Sequence, residues 1–246
     1  IPRLPPSKLT PGFRWLPPNF NASLLFMNVG YETGTPEKGK TNYMPTTGTY
    51  LTYTPGNWTL NGSAYYQFGK RKVGDEVKKV SAYMFGVKAG YKINQQWSVS
   101  ILTDYLSGDP ESSKASTFDP LYGTHHKFYG GMDYFYASLF KDGFAPGLMD
   151  SRVGVRFRAS AKVDMELNYH YFTTAVKLAD LSKSLGSEVD YQINWTVMKD
   201  VKLSAGYSFM RGTKTMDVVK GGDHKSWQDW GWVSLNINPK VLFVKW

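Results

Sequence analysis

The chain has no cysteine, no apolar run approaching the roughly 20 residues of a transmembrane helix, and no nucleotide, redox or metal motif. The first absence suits an oxidising compartment, where a stray thiol is a liability. The second excludes a helical membrane protein but says nothing against a β-barrel, whose lipid-facing and lumen-facing residues average out along the sequence. The third leaves no source of energy, so any transport runs down a gradient. The chain opens at Ile1, without a charged and then apolar leader. For a secreted protein that implies a removed signal peptide, or a start within a longer precursor.

Nucleic-acid recognition is also missing. The net charge of +9 is spread, and its short basic groups, Lys70-Arg71-Lys72 and Lys78-Lys79, fall in predicted loops where they are solvated. No basic stripe sits on one element within a recognisable module. A basic pore interior that attracts anions is the more economical use of the surplus.

What is present is alternation. In Val163-Asp164-Met165-Glu166-Leu167-Asn168-Tyr169-His170-Tyr171 every second residue is large and apolar and those between are polar. The same rhythm runs through 189–197 and 201–209. A period of two gives a strand with one apolar and one wet face, and roughly 9–11 tilted residues span a hydrocarbon layer. Aromatics at 16% of residues fit rings at two membrane interfaces. About ten spanning strands follow: 21–31, 46–54, 58–69, 80–93, 97–107, 149–159, 163–173, 187–198, 201–211 and 227–238. Their connections alternate between short (54–57, 94–96, 160–162, 199–200) and long (32–45, 70–79, 108–148, 174–186, 212–226). A soluble β-sandwich has no reason to sort its loops this way, whereas a bacterial outer-membrane barrel does. Spanning by the aromatic segment 132–140 would swap the sides of every later loop. Residues 108–148 therefore read as one long extracellular connection, its aromatic part folded into the pore.

The expected fold is thus all-β, an antiparallel transmembrane β-barrel of about ten strands over 21–246, preceded by a Pro-rich segment, 1–20. The closing stretch 241–246 alternates and ends in an aromatic, a feature common in outer-membrane barrels, where the assembly machinery reads it.

The stretch Phe118-Asp119-Pro120-Leu121-Tyr122-Gly123-Thr124-His125-His126-Lys127-Phe128-Tyr129-Gly130-Gly131-Met132-Asp133-Tyr134-Phe135-Tyr136 resembles a signature of the alginate-export family of outer-membrane porins. Leu106-Ser107-Gly108-Asp109, Leu185-Gly186-Ser187-Glu188-Val189-Asp190 and Gly206-Tyr207-Ser208-Phe209-Met210 are similar to shorter blocks of it. The resemblance spans roughly 45–240. It implies a monomeric barrel passing an anionic polysaccharide or similar solute through a charged lumen. Members are longer and have more strands, so this chain resembles the C-terminal part of such a barrel, with further strands or subunits as partners. Length alone also allows a closed ten-strand barrel.

Alternation assigns the faces. Trp58, Leu60, Tyr83, Phe85, Val87, Val153, Val155, Phe157, Leu167, Tyr169, Ile193, Trp195, Leu203 and Tyr207 point to lipid. Arg152, Arg156, Arg158, Lys88, Lys92 and Lys202 then point inward, with Asp104, Asp164, Glu166, Glu188 and Asp190. The arginines serve either to brace the wall against Asp164 and Glu166 or as a track for carboxylates, which their planar forks pair at two points. Asp119, Tyr122, His125, His126, Lys127 and Asp133 are constriction-loop candidates. His125 and His126 are adjacent, their side chains diverge in an extended chain, and no metal or cofactor site is expected. A catalytic reading has Ser100, Ser208 and His170 available, with no spacing that singles them out. The sequence thus points to an outer-membrane channel for a hydrophilic, anionic solute such as an acidic oligosaccharide. The alternatives are a structural barrel subunit or scaffold, and an outer-membrane enzyme.

Overall fold

In a computed structural model, residues 17–34, 38–73, 76–109, 115–135, 140 and 145–239 are described. Most of the Pro-rich start and the closing stretch 241–246 lie outside them. The described chain is a meander of ten strands in one antiparallel sheet: β1 (Phe20–Thr33), β2 (Lys40–Tyr53), β3 (Trp58–Val73), β4 (Glu76–Lys92), β5 (Trp97–Leu106), β6 (Leu148–Arg158), β7 (Val163–Thr173), β8 (Ser184–Met198), β9 (Val201–Gly212) and β10 (Gln228–Ile237). Each strand pairs with its sequence neighbours. One helix, α1 (Lys214–Lys220), sits between β9 and β10. Among the described residues no ladder joins β1 to β10, so both edges are unpaired there.

The outer face has three bands. At the short-turn end Trp58 packs on Tyr91 and Trp97 on Phe157, with ring centroids 4.7 and 4.4 Å apart. At the long-loop end Tyr83, Phe85 and Tyr105 stack within 4.9–6.3 Å of one another. Between them lie exposed aliphatics such as Val87, Ile101, Val153 and Leu167. Aromatic girdles flanking an aliphatic belt are what a wall needs when lipid replaces water around it.

The inner face is polar near the short turns and apolar near the long loops. Met44, Val80, Ala82, Leu106, Leu148, Phe172 and Met210 all come from inward positions and are buried. They pack around Phe118, Tyr129 and Phe135 of the 107–147 connection, and Met216 and Val219 of α1 join them. The core therefore lies inside the sheet, at one end, wrapped around an infolded segment.

Two sequence expectations fail. Residues 70–79 are not a long loop: β3 and β4 continue through them, pairing Lys70 with Lys79 and Arg71 with Lys78. Charge is depleted in strands, so those lysines read as a loop. Past the hydrocarbon the ladder continues and solvated charge costs it little. Likewise β2 begins at Lys40, six residues before the expected start.

Candidate functional site

The inner faces of β2 to β10 and the segment 126–131 enclose a cavity of about 680 Å³. Its centre is a buried ion cluster. His170 places Nδ1 2.9 Å from Asp150 Oδ1 and Nε2 3.3 Å from Asp190 Oδ2. The register explains the meeting: Arg152, His170 and Glu188 form one cross-strand row on β6, β7 and β8, with Asp150 and Asp190 one inward step away on either side. Such a cluster holds while complete; removing one partner leaves an unpaired buried charge at a cost of about 3–5 kcal/mol. Four carboxylates (Asp104, Asp150, Glu166, Asp190) share this cavity with Lys88, Lys127 and Arg152. Arg152 Nε and Asn168 Oδ1 have no protein partner among the described residues.

The infolded segment is fastened at several points. Gln67 donates from Nε2 to the Asp119 carbonyl at 2.8 Å and accepts the Asp119 N–H at 2.9 Å. Arg71 donates to the Thr117 carbonyl at 2.9 Å and lies 3.5 Å from the Asp119 carboxylate. Burial nevertheless holds the Asp119 carboxyl above its ordinary pKa, against the pull of Arg71. The Met132 N–H donates to Glu188 Oε1 at 2.9 Å and the Gly131 N–H to Asp190 Oδ2 at 3.1 Å. Gly130 has φ +92°, and a Cβ there would meet the Glu188 carboxylate at 2.6 Å, so only glycine lets the backbone come this close. Tyr134 donates to Gln228 Oε1 at 2.7 Å, and the His126 ring stacks on Trp230 at 4.2 Å.

Toward the short turns a second cavity, of about 440 Å³, has a different lining. Lys88, Lys92, Arg156 and Arg158 line it with Glu166 as the one carboxylate among its described lining residues. Arg156 is half-exposed and donates to Asp164 at 2.9 Å.

The expected site residues divide accordingly. Lys88, Asp104, Arg152, Glu166 and Asp190 line the inner cavity, and Arg156 and Arg158 line the short-turn one. Lys202 is an exposed inward position at the short-turn end and lines neither. Glu188 is fully buried behind the infolded segment and holds that segment instead of facing the lumen. Tyr122 is 78% exposed and lines neither cavity, because its own left-handed backbone turns it away. His126 and Lys127 do reach the cavity. The two histidines do not diverge. Both Nδ1 atoms converge on Asp133 Oδ2, at 3.0 and 3.3 Å, because His126 adopts φ +56° and the chain there is a turn.

The catalytic reading finds an obstacle. Ser208 lines the cavity near His170, but both ring nitrogens of His170 face carboxylates, leaving none to take a hydroxyl proton. Gln67, Arg71 and Asp150 were not singled out in the sequence. Asp150 sits at a strand start with no regular partner spacing, and Arg71 lay within an apparent loop. At the end of α1, Asp217, Asp223 and His224 bring their ligand atoms within 4.8 Å of one another, with His224 hydrogen-bonded to Asp217.

No protein-family model matches the chain, and no curated protein matches it. Solved structures similar to it include a NanC porin, at 10% identity and TM-score 0.45, covering 89% of this chain and 97% of that one. Another is OmpT of Vibrio cholerae expressed in the outer membrane, at 12% identity and TM-score 0.49, covering 85% of this chain and 64% of that one. A third is the Pseudomonas putida toluene transporter TodX, at 10% identity and TM-score 0.27, covering 79% of this chain and 74% of that one.

Proposed function

We propose that the chain forms a passive outer-membrane channel for a hydrophilic, anionic solute of the acidic oligosaccharide class. The observation that carries this reading is the short-turn cavity, where four cations face one carboxylate inside a wall whose other side is apolar. In a narrow low-dielectric passage such an excess concentrates anions. The resemblance of 118–136 to the alginate-export signature supports the choice of an acidic sugar. Lipid surrounds the sheet, and the outer-membrane assembly machinery inserts it. An open edge is not tolerated in hydrocarbon, so further strands, from the same polypeptide or another subunit, pair with β1 and β10.

Arg152, Arg156 and Arg158 contact the solute, with Lys88 as helper; Asp164 tempers Arg156 without cancelling the field. Replacing the three arginines with Gln should move the reversal potential toward cations in a planar bilayer under a salt gradient. Unchanged selectivity would leave the arginines as wall braces. A second reading, a closed structural scaffold, is favoured by the many fastenings of the infolded segment. Absence of any conductance in an inserted chain would select it.

A further inference from the structure

Two aromatic side chains of the inner wall are seated alike, near opposite flanks of the sheet. Tyr65 of β3 lies opposite Gly48 of β2 in the ladder, and Trp232 of β10 lies opposite Gly206 of β9. A Cβ on Gly48 would sit 2.2 Å from Cδ1 of Tyr65, and one on Gly206 would sit 2.3 Å from Nε1 of Trp232. Each ring therefore occupies the place of its partner's missing side chain, an arrangement that shields a strand glycine. Both residues also line the cavity of about 680 Å³, within the about 300–1,000 Å³ usual for ligand pockets. Trp232 covers its glycine and borders this cavity, and Tyr65 does the same while also packing against the edge of the core cluster.

The rest of the cavity says what such rings would hold. Its charges nearly balance, and the excess of cations lies below it, in the short-turn cavity. No strong net field retains an ion there, so retention comes from contact. Asn61 and Ser63 precede Tyr65 on the inner face of β3, and Gln192 is the β8 neighbour of Gly206. Asn61 donates to Thr52 and Gln192 to Asn194, which leaves their side-chain carbonyl oxygens to hydroxyl partners in the cavity. Flat apolar surfaces rimmed by amide and hydroxyl groups match a pyranose, which has C–H faces and a hydroxyl rim.

Building on the channel reading, we infer that Tyr65 and Trp232 are stacking plates for the pyranose rings of the oligosaccharide, through contacts that do not depend on its charge, in the cavity of about 680 Å³. Ring faces supply the apolar contact, and Asn61, Ser63 and Gln192 meet the hydroxyls. The plates themselves make no use of charge on the sugar, which meets Arg152 at this level and Arg156 and Arg158 in the cationic cavity below.

The test uses maltohexaose, a neutral probe, with a galacturonate oligomer of equal length as comparison. In planar bilayers maltohexaose should interrupt the current of the full chain, and Trp232→Leu or Tyr65→Leu should shorten each interruption on the order of tenfold. Leu keeps an apolar cover on the glycine, and Trp232→Phe, which keeps a ring, should restore most of the residence time. Residence time is read as the duration of each interruption relative to each variant's own open current. Calorimetric titration of maltohexaose into the detergent-solubilised chain reads the same site without conduction. Binding without conductance would sustain the plates and overturn the channel. Conductance with neither block nor binding, or equal residence in the Leu variants, would overturn the plates and leave the channel. Retention of the galacturonate oligomer but not of maltohexaose would also overturn them.

Discussion

The two halves of the inner wall are built on opposite principles. The long-loop half is filled toward its loops: apolar inward residues grip an infolded segment, and below them His170 lies between Asp150 and Asp190 beside the cavity of about 680 Å³. The short-turn half is open: Lys88, Lys92, Arg156 and Arg158 surround space with few carboxylates near them. The outer face does not differ in this way, since both ends carry aromatic rings around an aliphatic middle. Lipid imposes one rule on the outside, whereas the inside is free to specialise along its length. Bracing contacts thus lie above and an excess of cations below.

The strongest way to break the inside–outside contrast uses two adjacent residues of β5 at one depth. Ile101 is 60% exposed on the outer face, and Ser100 lines the short-turn cavity. Ile101→Arg should cost about 2–4 kcal/mol in denaturant titration from vesicles, and Ser100→Arg about 1 kcal/mol or less. Equal costs would mean the faces are wrongly assigned.

A smaller effect probes the filled half. Gln67 makes both a donated and an accepted bond to the Asp119 backbone. Gln67→Leu leaves that backbone pair unsatisfied and should weaken the segment by about 1–3 kcal/mol, seen as faster amide exchange across 117–121. Conductance should become noisier or larger. Unaltered exchange would mean the other fastenings suffice.

A pH-dependent effect lies outside the wall. Lys220 sits with Nζ 5.0 Å from the Phe140 ring centroid, and burial lowers its pKa from the usual 10.5 to about 8. Between pH 8 and 10.5 the unfolded chain binds the proton that the folded one has released, so stability rises with pH across that window. The penalty is fully present below pH 8 and gone above 10.5. Lys220→Met should raise local stability at neutral pH and flatten the pH dependence there; a dependence that persists would assign it to another group.

Much of the fold was legible, for a stated reason. Strands half in lipid and half in water must alternate, and 163–171 alternates without a break, so β7 was readable in full, β6 to within one residue and β8 to within three at its start. The failures occur where lipid stops imposing the rule. Lys70 to Lys79 remain in ladder beyond the bilayer, where charge no longer reports loops. Met44, Ala82 and Phe172 are apolar yet inward, because the infolded segment and not lipid covers them. The site was legible by face but not by partner. Alternation put Arg156 and Asp164 on one face, but their ion pair is diagonal in the register, as are the contacts of the Asp150–His170–Asp190 cluster across three strands. Nothing in the spacing of 125–126 announces the φ +56° turn that brings both histidines to Asp133.

The most direct test of the separation between bracing and field is the reversal potential of the inserted chain under a salt gradient, compared across two sets of variants. Neutralising the short-turn half with Lys92→Gln, Arg156→Gln and Arg158→Gln should abolish anion preference while the thermal transition moves little. Neutralising the filled half with Asp150→Asn and Asp190→Asn should lower the transition and leave the preference for anions in place. A wild-type pore that prefers cations, or a selectivity that follows the Asp150 and Asp190 changes and ignores the arginines, would contradict it.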